Sequence, residues 1–215
     1  MSVRIATVEF EGASPISHSG WVPPKPSGMD GEDYERQMIQ RKAHADANGN
    51  IVIPAMAWKW CILGGAQYSN MSVPGAGKTK FGGVFGSAVN AVADTPIGQR
   101  LENAKLVVHK LADVQPDDPK TGFPGKNMWS GLMNSDGKRG GGTRVPKWFP
   151  QWDKWEGEVE FQVEDDRITP TIFEDIIKQA GTFCGLGRFR PQKPICGTNG
   201  KFRVKKITWS KAKAL

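Results

Sequence analysis

The chain has 215 residues, enough to bury a full core as one domain, and its 26 glycines and 15 prolines beside 24% charged residues point to short strands and many loops rather than a helical bundle. The formal net charge is +7 and it is unevenly placed: from Ile176 onward there is no Asp or Glu, while Lys178, Arg188, Arg190, Lys193, Lys201, Arg203, Lys205, Lys206, Lys211 and Lys213 all fall there. Such a block suits a polyanion partner or a solvated tail. Cys61, Cys184 and Cys196 match neither a disulfide framework nor a zinc-site spacing, and no apolar run reaches the length of a bilayer span. A cytoplasmic chain with no metal, cofactor or membrane is therefore expected.

Val3 to Glu11 alternates apolar with polar and reads as a half-buried first strand. A Gly/Pro loop follows, then a short polar helix over 32–42. Asn48-Gly49-Asn50 is a turn that delivers Ile51-Val52-Ile53 into Pro54, where a helical pattern opens with Met56, Trp60, Leu63 and Gln67 on one side. Val73 to Gly83 ends a P-loop correctly with Gly77-Lys78-Thr79, but Ser72 stands where the first glycine is required. The following Phe81-Gly82-Gly83 looks too glycine-rich to open a helix, so Val84 to Ala93 is expected as a strand, and so is Ala104 to Leu111.

Residues 115–150 are low in aliphatics and rich in turn formers, which makes a core strand improbable. A protruding hairpin is expected there, with Met128, Trp129, Leu132 and Met133 as its apolar cluster. Gly157 to Val163 is a clean alternating strand. Thr169 to Gly181 is the best helix, with Thr169 as cap, Pro170 in the first turn and Gly181 as terminator. Gly200 to Trp209 closes as a strand. Strand, helix, strands, insertion, strand, helix, strand fits an α+β fold: a ferredoxin-like (RRM-like) antiparallel sheet with two covering helices, a thumb-like hairpin inserted at 115–150 of one domain over 1–215, and a free sheet face of the kind that holds nucleic acid.

Four pieces together, the opening strand, Asn48 to Ala55, the Thr169 to Gly181 helix and the Gly181 to Val204 segment, resemble the RAMP superfamily of CRISPR-associated proteins, most nearly the small backbone subunits that polymerise along guide RNA. The resemblance implies a non-catalytic subunit that coats single-stranded RNA in repeated copies. Its implied partners are the guide, a complementary target strand, copies of itself and other CRISPR effector subunits. Two tryptophans, Trp58 and Trp60, replace small residues of the family motif, although Lys59 keeps its charge. Asp30, Asp33 and Asp46 lie in the region before this motif where RNA-cleaving members carry an aspartate, but none of them is matched to its position, which puts cleavage in doubt.

Alternatives stay open: an endoribonuclease of the same superfamily using His18 or His44, or a phage single-stranded DNA-binding protein. For nucleic acid the candidate contacts are Arg188, Phe189 and Arg190 in a glycine loop that would admit phosphates, and Lys78 and Lys80 in the first glycine loop. Lys59, Lys138, Arg139, Arg144, Lys147, Lys201 and Arg203 complete the cationic set. Trp148, with Trp152 and Trp155 beside Lys147 and Lys154, reads as a stacking platform for bases or a packing surface for a neighbouring subunit.

Overall fold

The computed structural model describes residues 3–118, 125–134, 143–192 and 197–211. In chain order the elements are β1 (Arg4–Gly12), β2 (Ile16–Ser17), α1 (Gly31–Gln37), β3 (Val52–Ile53), α2 (Ala55–Ser69), α3 (Phe81–Ala88), β4 (Val89–Ala91), β5 (Thr95–Pro96), β6 (Gly98–Arg100) and β7 (Leu106–Val108). Then come β8 (Met128–Asn134), β9 (Arg144–Trp152), β10 (Glu156–Val163), α4 (Pro170–Gln179) and β11 (Phe202–Lys211). The fold is mixed α+β with antiparallel sheets. No helix among the described residues is long and apolar enough to cross a membrane.

Alternation decides the main sheet. Ala6, Val8 and Phe10 of β1 and Val159, Phe161 and Val163 of β10 point inward and are buried, paired in register as Ala6 with Phe161 and Val8 with Val159. The sheet runs β11-β1-β10; β10 continues to β4 at one end and to β6 at the other, with β7 beyond β6. On the covered face Trp58 and Ile62 of α2 and Phe173, Ile176 and Ile177 of α4 close the core. Phe10, Trp58, Phe161 and Phe202 meet there edge to face at centroid distances of 5.0–6.2 Å.

Several expectations are corrected. Phe81–Ala88 is a helix, because Phe81, Val84, Phe85 and Ala88 are all buried and Gly82 lies close against Gln67 of α2; tertiary packing overrides the glycine penalty. Gly181 does not end α4. The chain continues through a wide π turn over Ala180–Cys184 and stops at Gly185, whose φ is 67°. On α2 the buried side is Trp58, Cys61, Ile62 and Ala66, while Met56 and Trp60 are exposed.

The segment 115–150 contains β8 and most of β9, a hairpin paired from Met128 with Pro150 to Asn134 with Arg144. β9 also pairs with β2. Its Trp148, Phe149 and Trp152 are buried, as is Trp155 beyond it, so the tryptophan run belongs to this chain's own core and offers no open platform for bases or for a neighbour. Trp148 Nε1 donates to Asp117 at 2.7 Å and Trp155 Nε1 to the Ser14 carbonyl at 2.7 Å, which satisfies both indoles internally.

The other sheet face carries rows of opposed charge. Glu9 stands opposite Glu158 and Glu11 opposite Glu156, with Glu160 beside them, and β11 answers with Lys205 on Glu11 at 2.8 Å and Lys206 near Glu9 at 4.0 Å. Like charges in register are unfavourable, and the cations beside them offset that cost. With Arg100 on Glu156 at 3.1 Å, the described cations of this face are largely paired with its carboxylates, and the unpaired ones are gathered at the loops.

Candidate nucleic-acid interface

The glycine loop after the π turn is built to hold two arginines in place. Leu186 is buried and its N–H donates to the Gly200 carbonyl at 2.9 Å; the Arg188 N–H donates to the Ser17 carbonyl at 2.6 Å, laying the loop against β2. A Cβ on Gly187 would sit 2.4 Å from that same carbonyl, so only glycine fits. These glycines serve close packing of loop on strand, which corrects the expectation that they admit a phosphate chain. Phe189 adopts φ 59°, a conformation costly for a bulky residue, and the segment 188–190 is consequently bent rather than extended.

Arg188 lies at the shared wall of two pockets. The first, about 270 Å³, is lined by His18, Ser19, His44, Pro54, Ala57 and both arginines, among others; the second, about 280 Å³, includes Glu35, Lys42, Lys147 and Phe149. The Arg188 guanidinium stacks 4.0 Å over Phe149 and 4.7 Å over Phe189, and donates to Ser19 Oγ at 3.0 Å and toward Met133 Sδ at 3.8 Å. Its Nε is buried with no partner among the described residues. Arg190 donates to the Gly187 carbonyl at 3.1 Å. None of these acceptors is a carboxylate. Trp129 of β8 packs on Phe149 and Phe189 at 6.0 and 5.3 Å, so the hairpin braces the arginine loop from outside.

Charge in the second pocket is only partly compensated. Buried Glu35 binds Lys42 and, at 2.5 Å, Lys147; Lys42 also donates to the Trp148 carbonyl at 2.8 Å. Three cations, Lys42, Lys147 and Arg188, thus face one carboxylate. Burial pushes the Lys42 ammonium and the Arg188 guanidinium below their usual pKa values, while Glu35 opposes that in both. A recessed surplus of positive charge beside low-dielectric aromatic walls attracts anions.

His18 and His44, which the sequence left without partners, come together here with ring centroids 5.2 Å apart. His18 Nδ1 accepts the His44 backbone N–H at 3.2 Å, and the ring lies edge-on to Trp152 at 5.0 Å. Burial, and secondarily the neighbouring His44, pushes the His18 pKa down to about 3. Since Nδ1 accepts, the ring proton is on Nε2; His18 is a neutral hydrogen-bond donor at ordinary pH, with no free lone pair to act as a base. His44 is also shifted downward by burial, against the pull of Asp94. Among the described residues no cluster of His, Cys, Asp and Glu could hold a metal ion.

The remaining sequence candidates are scattered. Lys59 on α2 donates to the Val89 carbonyl at 2.6 Å and Asn90 Oδ1 at 2.8 Å, fastening the end of α3. Lys78 is exposed, and Lys80 is tied to the Asn70 carbonyl and Ser72 Oγ at 3.0 and 2.9 Å. Arg144 is exposed at the first residue of β9, at the distal end of the hairpin, Lys201 is half-buried, and Arg203 is exposed on β11 opposite Glu11. Lys138 and Arg139 lie outside the described residues. Of the sequence-selected set, the fold gathers Lys147, Arg188, Phe189 and Arg190 at one place; Ser19, Glu35 and Lys42 join them without any sequence signal.

No family model matches the chain, and no curated protein sequence does. Among solved structures it is similar to the crystal structure of Cmr6 from Pyrococcus furiosus, with 16% identity over 94% of this chain and 98% of that chain and a TM-score of 0.43. At that level no residue role is carried from one chain to the other.

Proposed function

We propose that this chain is a single-stranded nucleic-acid-binding module of RAMP type, a backbone subunit that lies along a guide RNA in repeated copies and binds without cutting. The observation that carries the reading is the Arg188–Arg190 pair at the first pocket: Arg188 is held by two aromatic faces and Ser19 Oγ, Arg190 by the Gly187 carbonyl, and Lys42 and Lys147 line the adjoining pocket that Arg188 shares. Guanidiniums unspent on carboxylates are suited to phosphate oxygens. The ferredoxin-like reading is supported by the order β11-β1-β10-β4, with α2 between β1 and β4 in the chain and α4 between β10 and β11. The hairpin β8–β9 takes the role of the inserted thumb in one domain.

The non-catalytic reading is supported by His18, neutral and without a free lone pair. The test is equilibrium binding of a labelled single-stranded RNA, with a DNA strand of the same sequence in parallel, to the chain and to Arg188→Ala/Arg190→Ala. Tight RNA binding that the double substitution weakens upholds the proposal; unchanged binding by a folded variant removes its main support.

A further inference from the structure

We infer that Tyr68 and Phe183 form a stacking platform for an unpaired nucleobase, at the far end of a track that begins at the arginine pocket; the inference rests on the nucleic-acid reading above. The two rings stack 4.2 Å apart at an interplanar angle of 20°, yet Tyr68 is 58% and Phe183 44% exposed. Isolated surface aromatics are unremarkable, but these two come from different elements and meet outside the core.

The π turn is what brings Phe183 there. Ala180, Gly181, Cys184 and Leu186 are buried around it, while Thr182 and Phe183 are turned outward, and a Cβ on Gly65 would lie 2.7 Å from Ala180 Cβ, so helix and turn are in intimate contact. π turns recur where a helix has been adapted to a function. From Phe183 the same loop runs back along α2 to Gly187 and Arg188, which face Ala57 across the first pocket. Tyr68 and Ala57 are about 16 Å apart along the helix axis, a span that a single strand covers in a few nucleotides.

Charge complementarity favours a strand over an apolar protein partner. At the Tyr68 end, Lys80 reaches the carbonyl of Asn70, the residue capping α2, and Lys78 is exposed in the same loop. Aromatic faces flanked by cations are the sequence-tolerant way to hold unpaired bases.

The experiment measures affinity of the full chain for labelled oligouridine RNA and for an abasic strand of equal length, comparing the unaltered protein with Tyr68→Ala/Phe183→Ala, Tyr68→Ala alone and Tyr68→Phe/Phe183→Tyr, each checked by a thermal melt. We expect the double alanine variant to bind RNA about five- to a hundred-fold more weakly. The ring-retaining variant should bind RNA normally, and the abasic strand should bind all of them alike. An equal loss on the abasic strand, or undiminished RNA binding by folded alanine variants, overturns the inference while leaving the module reading intact. So does a change in self-association by sedimentation without a change in RNA affinity, which would make the pair a subunit contact. Failure of the unaltered protein to bind RNA at all overturns both. Should the double variant not fold, Tyr68→Ala alone decides, with the same expected and contrary results.

Discussion

Replacing His18 by Asn isolates the cost of keeping an imidazole neutral in the wall of the first pocket. The Asn Oδ1 can replace Nδ1 as acceptor of the His44 N–H, so the fold loses a titratable group and keeps the hydrogen bond. In the folded chain the His18 pKa is about 3, against an ordinary 6.5, because the ring is 2% exposed and packs on Trp152 and His44. Between those values the unfolded chain binds a proton that the folded chain refuses. Stability from this group is therefore complete above pH 6.5 and is lost as the pH falls toward 3. The slope is about 1.4 kcal/mol per pH unit for one group, and His44, shifted in the same direction, adds to it. Urea unfolding of both proteins at several pH values between neutrality and 4 gives the difference directly, since carboxylates titrate in both and cancel. The unaltered protein should lose about 1.4 kcal/mol more per unit than His18→Asn below pH 6. Parallel stability curves would refute the burial argument and reopen His18 as a protonatable catalytic group.

Other substitutions probe the same region. Glu35→Ala leaves buried Lys42 with the Trp148 carbonyl as its hydrogen-bond acceptor and should cost about 3–5 kcal/mol in chemical denaturation; a loss below about 1 kcal/mol would mean that Lys42 swings to solvent. Trp129→Ala removes the brace on Phe189 and Phe149, so RNA affinity should drop along with the melting temperature, and unaltered affinity would show that the hairpin does not position the arginine loop. Bound RNA incubated with and without divalent metal should stay intact, and cleavage abolished by His18→Ala, His44→Ala or Asp33→Ala would promote the endoribonuclease.

What could be read from the sequence was local. β1 and β10 announced themselves by alternation, and α4 by its cap and proline: the Thr169 side chain accepts the Ile172 N–H, with Pro170 in the first turn. α3 was illegible because Gly82, Gly83 and Gly86 mask a helix that is held by the burial of Phe81, Val84, Phe85 and Ala88, with only Gly82 packed tightly, against Gln67. The basic C-terminal block divides in the fold: Lys205 and Lys206 pair with Glu11 and Glu9 across the sheet, while Arg188 and Arg190 of the same block line the first pocket, a division that the charge run alone does not show. The tryptophan run was read as surface because its cations were counted and its register was not; β9 turns Trp148 and Trp152 into the core. His18 and His44 meet only because β2 and the stretch before β3 lie side by side in the fold, a contact that no spacing in the chain encodes.

The most direct measurement of the central claim is the salt dependence of single-stranded RNA affinity for the unaltered chain and for Arg188→Ala/Arg190→Ala. If both guanidiniums neutralise phosphates, the slope of log K against log salt should be shallower by about 1.4 in the variant, about 0.7 for each lost contact on a single strand. A folded variant with the same slope as the unaltered chain would contradict the account, because Arg188 and Arg190 would then hold only the loop.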